Sequence, residues 1–196
     1  METIGDGTGK SFEAKVDGEN RLHTLAISEG FNVDSAVNGK NYNFNTGDIT
    51  LTSASKSAIA YIKNLENDDL IIRDILIISD TSTGGSGDFS VEIIRNPTTG
   101  TIISGATDFS VKANRNFGSV RDFVGDVFKG AEANTLTNGE NFSETSRSTT
   151  TTPISFDADV IILPKGASLG VNYTPQTGNT SQVVKVAIVG FLFSGK

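Results

Sequence analysis

Apolar and polar positions alternate in short runs along most of this chain, and glycine, proline and asparagine break the runs at close intervals. Asp48-Ile-Thr-Leu-Thr-Ser53 alternates as a half-buried strand should. Residues 57–65 (SAIAYIKNL) repeat the pattern with Ile59 and Tyr61, although Ile62 falls out of phase. Glu66-Asn-Asp-Asp69 turns into residues 70–79 (LIIRDILIIS), which are apolar on both faces and predict a strand lying centrally between covered layers. Residues 81–87 (TSTGGSG) read as a flexible loop and Phe89–Arg95 as a further strand. Asn96-Pro-Thr-Thr-Gly100 predicts a tight reversal, because proline presets φ at the second turn position and Gly100 can take a positive φ. A hairpin with 101–104 as its second strand follows from that reading. More strands are expected at 108–113, 122–129, 154–163 and 167–174, the last two joined by Pro164-Lys-Gly166. Residues 182–193 (QVVKVAIVGFLF) are apolar on both faces, which means either a central position in a sheet or burial against another subunit. Residues 138–153 (NGENFSETSRSTTTTP) hold few apolar side chains and read as a long exposed loop.

The first 47 residues differ. They are polar, acidic and rich in glycine and asparagine, and only 22–28 (LHTLAIS) has a strand pattern. Nowhere does a helical apolar period persist for three turns; the nearest approach, Val120–Lys129, is interrupted by Gly125 and reads equally well as a strand. Nine or ten strands without an internal repeat predict an all-β, antiparallel β-sandwich, a jelly roll being the common solution at this size, with an extended N-terminal arm. The boundaries follow: 1–47 as arm and connection, 48–196 as the sandwich. Twenty-one glycines, twelve phenylalanines and no tryptophan suit many short strands and turns. A globular chain of this length buries roughly 70% of its unfolded surface and needs no staples. It contains no cysteine, which excludes disulfides and thiolate zinc sites. A net charge of −7 with a pI near 4.7, and no basic run, argues against a nucleic-acid partner. Met1–Lys10 lacks the apolar core of a signal peptide, and the longest apolar run is far below the roughly 20 residues that span a bilayer. The expectation is a soluble chain, not secreted and without a membrane partner.

The strongest chemical signature is Gly5-Asp6-Gly7-Thr8-Gly9-Lys10-Ser11, which invites comparison with a phosphate-binding loop. Such a loop requires G-x-x-x-x-G-K-[ST] after a strand and before a helix. The first glycine is replaced by Ile4, three residues cannot make the preceding strand, and Asp17-Gly18 interrupts any helix whose amides could face phosphate. His23 is the sole histidine and sits between leucines on the polar side of a short strand, so neither a triad nor a transition-metal site is expected. Asp157 with Asp159, and Asp122 with Asp126, are the carboxylate pairs a glycoside hydrolase would use, but the chain lacks the tryptophan platforms that usually accompany sugar sites. No calcium loop of the D-x-[DN]-x-[DN]-G kind occurs. Asn141, Asn172 and Asn179 head N-x-[ST] sequons, which matter only in a secreted protein. The residues therefore predict no catalytic site, no cofactor and no metal.

Four stretches together resemble a group of tailed-bacteriophage virion structural proteins, of the accessory capsid, decoration or head-fibre kind: GTGKSFEAKVDGENRLHTLAIS (7–28), YNFNTGDITLTSASKSAIAYIKNLENDDLII (42–72), STGGSGDFSVEIIRNPTTGTIIS (82–104) and ILPKGASLGVNYTPQTGNTSQVVKVAI (162–188). The resemblance implies a non-enzymatic virion component assembled in the host cytoplasm. It also implies self-association, as a homotrimer, and a contact with the major capsid protein or another virion component. On that reading the arm would order on docking, with Lys10, Phe12, Lys15, Arg21, Leu22 and Leu25 as its contact residues. The strand at 22–28 could then complete a neighbour's sheet. A rival reading is a receptor- or glycan-binding module that uses loops 81–87 and 138–153.

Overall fold

The strand pairing has a nested order. This computed structural model describes residues 35–194 except 106, 110 and 149–152, and gives the backbone only at 105, 107, 108, 111 and 157–160. The described residues belong to one compact unit, Phe31–Lys196. Its strands are β1 (Asn41–Asn45), β2 (Ile49–Leu51), β3 (Ser57–Asn64), β4 (Asp69–Ser79), β5 (Phe89–Arg95), β6 (Thr107–Asp108), β7 (Val111–Asn114), β8 (Gly125–Lys129), β9 (Glu140–Arg147), β10 (Ile154–Leu163), β11 (Ser168–Thr174) and β12 (Gln182–Phe193). Sheet one runs β10-β4-β12-β1-β7, with β2 also on β12, and sheet two runs β6-β8-β3-β11-β5-β9. Every pairing is antiparallel.

Strand β1 pairs β12, β3 pairs β11, β4 pairs β10, and β5 pairs β9. The chain is thus one long hairpin, rolled so that β12·β4 and β11·β5 seal the two sheets. That is the connectivity of a jelly roll. The tip of the hairpin, residues 96–139, makes an excursion that supplies β6, β7 and β8. These widen both sheets on the side away from β9 and β10.

Alternation places the core. In β12, Val184, Val186, Ile188 and Leu192 are buried, and in β5 Phe89, Val91 and Ile93 join them. Each such side chain contributes about 1.5–3 kcal/mol by leaving water. In β3 the register jumps so that Ile59 opposes no residue of β11, a β-bulge. The bulge resets the alternation, so Ile62 shares the core with Ile59 and its shift of phase in the sequence is explained. A smaller cluster of Ala58, Tyr61, Ile102, Ile103, Phe128 and Leu136 lies on the outer face of sheet two. The excursion therefore covers the back of that sheet.

Several expectations need correction. Asn41–Asn45, read as connection, is a strand between β12 and β7, because Tyr42 and Phe44 alternate with asparagines and point into the core. Residues 101–104 form a helical turn, Thr101–Gly105, and no hairpin with β5. Asn96 (φ 47) and Gly100 (φ 142) turn the chain out of the sheet, and Ile102 anchors it on the sheet's back. The outer partner of β5, across from β11, is β9, inside the stretch read as a loop. An edge strand needs only backbone hydrogen bonds to its neighbour, so its side chains can all be polar. The expected strand 108–113 divides into β6 and β7, which lie in different sheets around buried Phe109. Loop 81–87 is tied down by bridges from Thr83 to Ser181 and from Ser86 to Thr177.

Candidate interaction surface

Lys10, Phe12, Lys15, Arg21, Leu22 and Leu25, together with His23 and the glycine-rich string 5–11, lie outside the described residues. So do the side chains of Asp157 and Asp159. Asp122 is exposed in a loop while Asp126 is half-buried in β8. Among the described residues no three acidic or histidine side chains group as metal ligands would. Asn172 and Asn179 are buried and hydrogen-bonded, which leaves Asn141 as the exposed sequon.

Among the described residues, the most exposed large apolar side chains on the lateral edges stand at two places. The first is the loop 115–124, which joins β7 to β8 at one lateral edge of the sandwich. Phe117 and Val120 are each 99% exposed there. The loop is braced from both sides. Asn114 Nδ2 donates to the carbonyls of Gly39 (2.7 Å) and Arg121 (3.1 Å), and Asn116 Nδ2 donates to the carbonyl of Val37 (3.0 Å). The amides of Asn116 and Gly118 donate to the side chains of Asn114 and Asn116, which closes successive Asx turns. Arg121 Nη2 donates to Glu66 Oε2 at 3.2 Å, and Glu66 Oε1 accepts the Val124 amide at 3.1 Å. Phe123 then packs edge-on to Tyr42 and Phe44, with centroids 5.5 and 5.1 Å away. Phe117 and Val120 therefore stand on a fixed base.

The second place is a groove at the opposite lateral edge, where β9 and β10 are the outermost strands. It has a volume of about 340 Å³ and is lined by Ile93, Phe142, Ile161, Ile162, Leu163 and Leu169, among others. Phe142 is 62% exposed and Ile162 50%. Phe142 opposes no residue of β5, because the register passes from Ser143 to Asn141. This bulge re-aims the one aromatic side chain of a polar strand. Glu140 and Glu144 flank it, both exposed; Glu140 meets Arg95 at 3.4 Å.

The far end of the sandwich is polar and closed. Ser82 Oγ donates to Asn179 Oδ1 at 2.6 Å, and Asn179 Nδ2 donates to the carbonyls of Leu51 and Ser53. Gln176 and Gln182 reach the carbonyls of Gly87 and Asp80. Burial pushes the Tyr173 phenol up to about 12, against a smaller opposing influence of nearby Ser79 and Gln182. Among the described residues the hydroxyl itself is within hydrogen-bond geometry of no partner. On the back of sheet two, burial raises the Glu92 carboxyl, but hydrogen bonds from Lys56 Nζ (2.5 Å) and Asn172 Nδ2 (3.1 Å) outweigh it and hold the group below its ordinary range.

The sequence reading missed this surface. Its signal was two apolar residues, Phe117 and Val120, among Asn, Gly, Ser and Arg, a pattern that marks an exposed position once no strand claims it. The groove left no local signal, since its walls come from three distant segments.

No protein-family model matches the chain, and the curated proteins include no detectable relative. Among solved structures, the crystal structure of tomato aspermy virus aligns over 89% of this chain and 84% of that one, with 8% identity and a TM-score of 0.31. A likeness that small carries no argument about fold or role.

Proposed function

We propose that the chain is a structural component of a virus particle, non-enzymatic, that associates with copies of itself and docks on the particle in the manner of a tailed-phage decoration or head-fibre protein. The observation that carries this reading is the braced loop 115–124. Phe117 and Val120 are held in water by at least five side-chain hydrogen bonds and an ion pair. Exposed apolar groups fixed on a stiff base mark a protein contact. A jelly-roll body supports the same reading, since the architecture recurs in viral capsid domains. The sequence resemblance supplies the phage setting, the trimer and the docking role of residues 1–47.

The test uses particles propagated from the source of this gene and purified by density gradient. The full chain is expected in those particles by mass spectrometry. A chain lacking residues 1–21 is expected to give a folded, soluble body that no longer enters them. Absence of the full chain from particles overturns the virion role. Normal loading of the shortened chain overturns arm docking alone.

A further inference from the structure

The loop and the groove occupy complementary positions. Loop 115–124 leaves β7 beside Asn41, at the end of the sandwich where β3 stops and β11 starts. The groove is lined by Arg95, Asn96, Pro164 and Ala167 as well as by its apolar residues, so it opens at that same end. One feature lies on the β7–β8 edge and the other on the β9–β10 edge. A contact between them sets copies side by side at one level, the arrangement a closed ring requires.

Size and charge also agree. An apolar cavity of roughly 150 Å³ takes up a benzene ring, so about 340 Å³ has room for the Phe117 ring with Val120 beside it. Arg115 is exposed at the start of the loop, which also carries exposed Asp122; at the groove's rim Glu144 is exposed, while Glu140 is paired with Arg95 of the groove wall at 3.4 Å. Opposite charges at a rim fix register and suppress wrong partners. We infer that the 115–124 loop of one copy seats Phe117 and Val120 in the β9–β10 groove of the next, so that the chain associates head to tail. This names the contact behind the self-association proposed above and rests on that reading.

The experiment uses the full chain and two double variants, Phe117→Asp with Val120→Asp, and Phe142→Asp with Ile162→Asp. All four positions are at least half exposed, and circular dichroism and melting temperature check that both variants fold. By sedimentation equilibrium, wild type is expected to assemble and each variant to weaken association about 100-fold, as loss of a buried hot spot does. An equimolar mixture of the two variants retains one intact loop and one intact groove, and is expected to yield dimers and nothing larger. A second readout exploits the absence of cysteine. The chain carrying Val120→Cys and Ile162→Cys is expected to form a ladder of disulfide-linked copies on oxidation, and a mixture of the two single variants only a dimer.

Assembly of either aspartate variant as well as wild type, or a mixture that stays monomeric, overturns the contact while leaving self-association standing. Failure of the 120–162 disulfide ladder to form on oxidation, with the chain folded and associated, also overturns it. A monomeric wild type removes self-association itself, a result separate from presence in the particle.

Discussion

On the back of sheet two the chain supplies its own cover. Ile102 is fully buried there beside Ala58 and Tyr61, and Leu136 fits over Gly170, where a Cβ would meet it. The back of sheet one is different. Val183, Val189 and Phe191 of β12, with Ile71, Leu76 and Ile78 of β4, are left half-buried or exposed and join neither apolar cluster. Both sheets turn alternating residues into the shared core, so their fronts are equivalent. The difference arises because the 96–139 excursion folds back over one sheet and, among the described residues, over no part of the other. Among the described residues, apolar residues of a back face thus count toward stability in sheet two and lie uncovered in sheet one.

Truncating one residue on each back is the most direct way to break that comparison. Ile102→Ala removes a fully buried side chain from the cover of sheet two and is expected to cost about 2–4 kcal/mol by urea denaturation. Val189→Ala on the back of sheet one is expected to cost under about 1 kcal/mol, since the side chain is already half in water. Equal costs would mean that both backs are covered to the same degree.

The front and back of sheet two also differ in their response to pH. Tyr173 belongs to the core side of β11, and its phenol titrates near 12 when folded against 10.0 as an ordinary tyrosine. A raised folded value means that stability is fully present below pH 10 and is lost as pH climbs through 12. At about 1.36 kcal/mol per unit the loss reaches about 2.7 kcal/mol. Melting curves between pH 9 and 12 should show it. Tyr173→Phe should remove that alkaline loss at little cost near neutrality, because among the described residues the buried hydroxyl is within hydrogen-bond geometry of no partner.

How far the fold could be read from residues alone depended on burial. Phe89–Arg95, 154–163 and 182–193 were recognisable to the residue, because each carries an apolar face that a strand must bury. The two-faced pattern of 182–193 resolves as a central strand, with its inner side in the core and its outer side on a back that no described residue covers. Strand β1 was hidden by composition, since asparagine fills every position that Tyr42 and Phe44 do not. Strand β9 was hidden for the opposite reason, having no buried side chain to reveal it. Its pairing with β5 closes a loop of more than forty residues, and no local pattern encodes a contact at that separation. Loop 115–124 was half visible, as Phe117 and Val120 in a polar run, whereas the groove exists only after β5, β9, β10 and β11 converge.

The smallest expected effect tests whether the cover of sheet two includes a polar part. Glu92 sits on that back, with Lys56 and Asn172 donating to its two oxygens. Burial alone would raise its carboxyl, and the two donors reverse the shift, so the folded value lies below the ordinary 4.5. A depressed carboxyl contributes stability that is present above pH 4.5 and is lost as pH falls through the folded value. Glu92→Gln keeps the size and an acceptor for Asn172 but gives up the charge facing Lys56, whose side chain is 54% exposed. Solvent screening at that exposure limits the pair to about 1 kcal/mol near neutrality. Urea midpoints at pH 7 and pH 3 should therefore differ less in the variant than in wild type. An unchanged acid limb would assign the acid sensitivity to other carboxylates and reduce the cover of sheet two to its apolar residues alone.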